Sequence, residues 1–276
     1  MSTDPSQMAA LPEAAQRRIQ DLEQRTASGH ITAITDFSVD EMVLVDHAGF
    51  EPVGMVMGSS IYHIGFQAGR WGNQELQTLT AALYQARELA ISRMRMEADA
   101  LKADGIVGVD LKINYHAWSV GSAEFTAIGT AVKHRGAPGS WRSTDGGPFT
   151  SSLSGQAFWK LANMGYRPLG LVVGNCVYHI AYQGILGQMK RMGQNMEIGE
   201  WTQALYEARE LAMGRMQAEA EKLNADHVVE TSITHSNHIW ESHVLEFFAV
   251  GTAAVAVPGA AKQINPNLVV SADEVL

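Results

Sequence analysis

The sequence contains a single cysteine, Cys176, among 276 residues. It therefore cannot form a disulfide within the chain, and it cannot build a metal site from cysteines alone. No apolar stretch approaches the roughly 20 residues of a membrane-spanning helix. The first residues are polar and acidic, without the apolar region of a secretion signal. These absences are typical of a soluble cytoplasmic protein without a membrane span, which is the location we expect.

Basic residues are also scarce. The chain has 20 Lys and Arg against 29 Asp and Glu, a formal net charge of −9. Because nucleic-acid-binding proteins generally present a basic face, we expect no nucleic-acid partner. The sequence also has no Gly-x-Ser-x-Gly nucleophile motif and no Walker loop. The balance leans towards a protein that is not an enzyme, although a catalytic triad in another order remains open.

What the sequence does contain is an internal repeat. GFEPVG at 49–54 returns as GYRPLG at 165–170, and LYQARELA at 83–90 returns as LYEARELA at 205–212. The first match is offset by 116 residues (165 less 49) and the second by 122 (205 less 83). Two copies of one domain are therefore present, with six extra residues in a loop of the second. We divide the chain into an N-terminal arm with a helix (1–35), a first repeat (36–133), a linker (134–150), a second repeat (151–257) and a C-terminal tail (258–276).

Each repeat has the same pattern of predicted elements. Ser38 with Glu41 forms a capping-box signal for a short helix, and Ser154 takes the same place in the second repeat. Glycine-bounded apolar runs at 53–57 and 169–173 predict strands. A long stripe of apolar residues at helical spacing follows, and then two alternating segments that predict a hairpin. The fold class is therefore α+β, with two homologous repeats, each a small antiparallel sheet with one long amphipathic helix and a short N-terminal helix.

Charged residues recur on the two long helices. The matching pairs Arg87-Glu88 and Arg209-Glu210 favour a repeated contact between subunits. Two further pairs are spaced four residues apart and predict surface ion pairs: Arg93 with Glu97, and Arg215 with Glu219.

Several motifs together resemble the YbjQ family. They are ARELA at 86–90, ADGIVGVD at 103–110 and GTAV at 129–132, with counterparts at 208–212, 225–229 and 251–253. The family carries a heavy-metal-binding label, and its members are small α+β domains thought to close into five-fold rings. The resemblance implies a fused pair of such domains that assembles with itself, as a cyclic homo-oligomer. The second repeat departs from the pattern at His227 and Glu230, where the first has Gly105 and Gly108.

The histidines are the candidates for a metal site. His63 recurs as His179, while His238 and His243 flank a turn of the second repeat. A divalent transition metal needs three or four such ligands converging at about 2.0–2.3 Å. Nothing in the spacing requires that convergence, and a packed or hydrogen-bonded histidine is the alternative at each position.

Aromatic residues recur beside these histidines and at the hairpin turns. Tyr62 and Tyr178 precede His63 and His179, and predict either a pocket or a contact between subunits. Trp118 and Trp240 recur at the hairpin turn, where they would either anchor a partner or fold over the sheet.

Three functions follow from these features. The first is a non-enzymatic, ring-forming structural or scaffold protein. The second is a heavy-metal-binding protein with histidine sites where subunits meet. The third is a small-molecule binder or enzyme that uses the repeated Tyr-His positions.

Overall fold

Two four-stranded sheets, each packed against one long helix, are present in the computed structural model. It describes residues 11–29, 32–63, 72–115, 122–180, 198–237 and 244–259. The arm holds α1 (Glu13–Ser28). The first repeat holds α2 (Val39–His47), β1 (Phe50–His63), β2 (Gln74–Glu75), α3 (Gln77–Ala100), β3 (Gly105–Tyr115) and β4 (Ser122–His134). The remaining elements are β5 (Phe149–Thr150), α4 (Gly155–Asn163), β6 (Tyr166–His179), α5 (Gly199–Lys222), β7 (His227–Asn237) and β8 (Val244–Ala256).

The strand orders are β1-β4-β3-β5 and β2-β6-β8-β7. In each repeat the three long strands are antiparallel, with β4 or β8 in the centre. The fourth strand of each sheet comes from outside the repeat that forms the other three strands. β5 lies parallel to β3, and β2 lies antiparallel to β6. The α+β class and the duplication are confirmed. No described helix is long and apolar enough to cross a membrane.

The short helices begin where the sequence predicts. The Ser38 side chain and Glu41 form a complete capping box at the start of α2. Ser154 caps α4 by accepting a hydrogen bond from the Ala157 amide. Gly49 and Gly165 follow the helix ends with φ of 87° and 83°, a conformation that glycine adopts at no steric cost.

The strands β1 and β6 are much longer than the predicted runs 53–57 and 169–173, because glycines taken as strand ends lie inside them. A Cβ atom on Gly58 would lie 2.0 Å from the carbonyl oxygen of Ala90, and one on Gly174 would lie 2.0 Å from that of Ala212. These glycines let the long helix cross close to the strand.

The predicted ion pairs within the long helices are wrong. Arg93 donates to the Ser59 carbonyl at 2.6 Å, and Glu97 accepts from the Met57 amide at 3.1 Å. Glu219 accepts from the Val173 amide in the same way, at 2.8 Å. These side chains face the strand beneath the helix, so they satisfy its backbone instead of one another.

Candidate functional site: the seam between the two repeats

The two repeats pack against each other along a surface that we call the seam. On one side of it, the segment that begins with β5 adds to the edge of β3. The Ser151 amide donates to the Ile106 carbonyl at 2.9 Å, and the Val109 amide donates to the Ser151 carbonyl at 2.8 Å. The chain that enters the second repeat is thus an edge strand of the first sheet.

A phenylalanine ring packs directly on a glycine at this edge. Phe149 is fully buried and pairs in register with Gly105. A Cβ atom on Gly105 would lie 2.1 Å from the Phe149 ring. The ring therefore occupies the space that any other residue at position 105 would need.

On the other side of the seam, β2 of the first repeat adds to β6 of the second. Its Glu75 receives two hydrogen bonds from the Arg215 guanidinium, at 2.6 and 2.9 Å. Burial alone would raise the pKa of Glu75, but the hydrogen bonds from Arg215 and Thr80, together with the charge of Arg215, outweigh burial and hold the pKa below its ordinary value. A bidentate pair of this kind fixes orientation as well as adding stability.

A buried ion pair joins the repeats at the centre of the seam. The Arg87 guanidinium of α3 bonds to the Glu246 carboxylate of β8, and both side chains are 2% exposed. The guanidinium also lies 4.1 Å from the centre of the Phe248 ring and 5.3 Å from that of Phe125. The two rings face a cation that is otherwise removed from water.

The start of α3 and the strand β6 share backbone hydrogen bonds and a core. The Leu76 amide donates to the Val177 carbonyl at 2.8 Å, and the Val177 amide donates to the Thr80 hydroxyl at 3.0 Å. Val177 and Val244 belong to the hydrophobic cluster of the first repeat. The apolar core is therefore continuous across the seam.

The two short helices meet at the end of the seam. The Gly155 amide at the start of α4 donates to the Glu41 carboxylate at 3.1 Å. A Cβ atom on Gly155 would lie 2.8 Å from the Glu41 Cβ. Here, too, a glycine leaves the space that a larger residue of the other repeat fills.

Residues at the matching positions on the outer faces of the molecule are exposed. Val177 is 0% exposed in the seam, whereas its match Ile61 is 60% exposed. Leu79 is 6% exposed, and its match Trp201 is 36% exposed. The same surfaces therefore recur on the first and second repeats, but in a single chain only one of each is covered.

The outer counterpart of Arg215 is Arg93, and its environment is incomplete in the same way. Arg93 lines a cavity of about 530 Å³ between α1 and β1. Its Nε atom is buried and has no hydrogen-bond partner among the described residues. Burial lowers the pKa of Arg93. Arg215 meets the carboxylate of Glu75, and the described part of the chain supplies none to Arg93.

The predicted charged candidates separate between the seam and the outer surface. Arg87 lies in the seam, as described above. Its match Arg209 is exposed, bonds to its neighbour Glu210 at 2.7 Å and lies over the Tyr206 ring. Glu88 is exposed on α3.

The predicted aromatic and histidine candidates do not converge on one pocket. The Tyr62 hydroxyl donates to Gln85 at 3.2 Å, while the buried Tyr178 donates to Glu207. His179 lies 3.0 Å from the Gly72 carbonyl oxygen, and His63 is exposed at the end of β1. Four candidates lie outside the described residues: Trp118, Trp240, His238 and His243. Within the described ranges, no group of three or more His, Cys, Asp or Glu is arranged to hold a metal ion.

Sequence reasoning missed most of the seam. Phe149 fell at the end of a segment predicted to be a linker, and Glu75 and Glu246 were not singled out. A signal was present in two mismatches between the repeats, Gly105 with His227 and Glu41 with Ala157, because a covered and an uncovered copy of one surface tolerate different side chains.

Comparison with known proteins agrees with this duplicated architecture. A family model for YbjQ, described as "Putative heavy-metal-binding", matches residues 68–135 and 163–257. The encapsulin nanocompartment protein Rv1762c of Mycobacterium tuberculosis is 45% identical over 268 residues, which cover 97% of this chain and 99% of that protein. A UPF0145 protein of Pseudothermotoga lettingae is 37% identical over 91 residues, 30% of this chain and 82% of that protein. The chain therefore belongs to the YbjQ family, as a tandem duplication of the family's domain.

Proposed function

We propose that this chain is a non-enzymatic structural protein that assembles with itself, the second repeat of one chain packing on the first repeat of the next. The observation that carries the proposal is the contrast between matching positions, above all the buried Val177 and the exposed Ile61. The seam within the chain is the template for a seam between chains.

The proposed contact is head to tail, because it joins two different surfaces. One surface contains the β7 edge and α5, and the other contains the segment 33–37 and β1. A contact of this type repeats from chain to chain, and it makes a ring if the rotation closes or a filament if it does not. The family resemblance favours a ring with five-fold symmetry, in which every chain fills two successive positions.

The unpaired Nε atom of Arg93 supports the same arrangement. In the seam, Arg215 holds a carboxylate that the preceding repeat supplies. Arg93 occupies the matching place on the outer face, with a buried Nε atom that lacks a described partner. A carboxylate from the preceding chain would complete it, and leaving such a group unpaired in a buried site is costly.

The similar mycobacterial protein is named an encapsulin nanocompartment protein. On that basis we place the present chain among the components of protein nanocompartments, where a self-assembling structural protein has a direct use. The partners we propose are further copies of this chain.

Light scattering coupled to gel filtration tests the proposal on the purified full chain. We expect a discrete multiple of 29.9 kDa for the natural sequence. Ile61→Glu puts a charge into the proposed contact without disturbing the chain's own core, so we expect association to weaken by about 100-fold, since an unpaired buried charge costs several kcal/mol.

Leu211→Glu is the matched control for Ile61→Glu. Leu211 is 39% exposed and its match Leu89 is 40% exposed, so this position lies outside the seam in both repeats. We expect the control to assemble like the natural protein. A natural chain that stays monomeric at micromolar concentration would overturn the proposal. Elemental analysis of the same peak tests the histidine-based metal hypothesis.

A further inference from the structure

We infer that segment 33–37 of one copy pairs with the β7 edge of a second copy, and with His227 in particular. In this contact the large and the small side chains occupy the opposite sides from those they occupy in the seam within one chain. The inference rests on the proposed self-assembly and adds its register and its selectivity. Within one chain, a large residue on one side of the seam faces a glycine on the other side. Between chains, the large and small residues change sides.

The first exchange lies at the sheet edge. Within the chain, Phe149 covers Gly105, where a Cβ atom would collide with its ring. The matching positions are Ala33 and His227. Ala33 is thus a small residue at the position of Phe149, and His227 is a large residue at the position of Gly105. Ala33 and His227 are both exposed in the single chain, whereas Phe149 and Gly105 are both buried.

The backbone on both sides keeps the geometry that strand addition needs. Gly108 has φ of 71° at the β3 bulge, and its match Glu230 keeps the same left-handed conformation, with φ of 51°. The β7 bulge thus keeps the left-handed conformation without a glycine, although that conformation is strained for any other residue. Since the Gly108 amide donates across the seam to the Leu153 carbonyl at 2.9 Å, the Glu230 amide is placed to donate to Phe37 of a second copy.

The segment 33–37 is already held in the conformation of its counterpart. The Thr35 hydroxyl lies 3.1 Å from the Thr130 hydroxyl. In the second repeat, the hydroxyl of the matching Ser151 lies 3.3 Å from that of the matching Thr252. The outer edge of the segment 33–37 is uncovered, and Ile34 is 65% exposed. The segment is thus positioned on its own repeat and presents its free edge for pairing.

A second exchange lies where the short helices meet. Within the chain, Glu41 fills the space left by Gly155. The matching positions are Ala157 and Val39, so the large residue is again on the opposite side. Val39 is 77% exposed. Two exchanges of a large and a small residue, at two separate places, indicate that the outer surfaces are complementary to each other.

Size exchange also excludes a wrong pairing. The segment containing Phe149 could in principle leave its own repeat and add to the β7 edge of another chain. His227 lies where the Phe149 ring would have to lie, so the two side chains would clash in that pairing. Selectivity of this kind arises from a built-in clash as well as from good contacts. The result is an ordered array in which contacts within and between chains alternate.

Ala33→Phe tests the inference on the full chain, with the mass of the assembly as the readout. The added ring would meet His227, so we expect association to weaken by at least about 100-fold while the melting temperature of the single chain stays unchanged. In Ala33→Phe/His227→Gly, the pairing of Phe149 with Gly105 is reproduced, and we expect association to return to within about 10-fold of the natural protein. Ala81→Phe is the matched control and should assemble normally, because Ala81 and its match Gln203 are both exposed, so this position lies outside the seam in both repeats.

A second pair of variants serves if Ala33→Phe does not fold. Ala157→Glu adds the missing residue of a capping box at Ser154, so folding should not suffer, but the glutamate would meet Val39 of the next chain. We expect it to block assembly and Ala157→Glu/Val39→Gly to restore it. Size matching is overturned if either single variant assembles like the natural protein or if either double variant fails to recover. A natural chain that never assembles overturns the proposed function instead.

Discussion

At the scale of single residues, the duplication places one side chain in two environments within the same molecule. Arg87 and Arg209 come from the same motif, yet one is buried against Glu246 and the other is exposed beside Glu210. The sequence alone predicts a shared contact for both. It could not distinguish them, because burial depends on which of the two copies has a neighbour.

The buried pair should matter for folding and its exposed match should not. Arg87→Met removes the cation that faces Glu246, and we expect the free energy of unfolding to fall by about 3–5 kcal/mol. Arg209→Met should leave it nearly unchanged, because this side chain is exposed. Urea unfolding at a concentration where the chain is monomeric measures both. Equal losses for the two variants would contradict the burial difference.

Glycine positions offer a second contrast. Gly174→Ala would place a Cβ atom 2.0 Å from the Ala212 carbonyl oxygen, so we expect a loss of at least about 3 kcal/mol. Beyond the backbone of its own helix, no atom of the described residues lies within 4 Å of a would-be Cβ on Gly214 of α5. Gly214→Ala should stabilise the chain by about 0.5–1 kcal/mol. Thermal unfolding of the two variants checks both signs, and stabilisation by Gly174→Ala would refute the close crossing of helix and strand.

At the scale of elements, the local sequence pattern predicted the helices and the hairpin strands, and it failed for the two shortest strands. The helix predicted within the arm 1–35 is found over Glu13–Ser28. The strands β2 and β5 have two residues each, and both pair with strands of the other repeat. No local periodicity can identify such strands, because what defines them is a partner far away in the sequence.

The ion pair that holds β2 should make the seam sensitive to acid. The pKa of Glu75 is lowered from its ordinary 4.5, so its contribution to stability is present above about pH 4.5 and is lost as the pH falls through the lower folded-state pKa. Glu75→Gln removes this titration. We therefore expect the variant to melt below the natural protein at neutral pH, and the gap to narrow below about pH 4.5.

Melting curves of the two proteins between about pH 3 and pH 7 test this expectation. Other carboxylates titrate in both proteins, so the difference in melting temperature isolates Glu75. A difference in melting temperature that widens on acidification would contradict the lowered pKa of Glu75.

At the scale of the whole molecule, the sequence predicted two like domains but not how they meet. The two mismatches that size matching explains were visible as departures of one copy from the other. Their meaning required the structure, which places Phe149 against Gly105 and Glu41 against Gly155.

A closed ring and an open filament respond differently to concentration. If the head-to-tail contact closes, the measured mass should reach a plateau and stay there as the chain is concentrated. Five chains of 29.9 kDa would give a plateau of about 150 kDa. Light scattering over a wide concentration range tests this, and a mass that keeps growing would point to a filament.

The peptide bond between the repeats imposes a rule of parity. Any closed ring of whole chains contains an even number of domains, so this protein cannot form a ring of five domains. Five-fold symmetry would instead require ten domains, each turned by about 36° from the last in place of about 72°. Gene duplication therefore did more than join neighbours: it doubled the circumference available at a given symmetry.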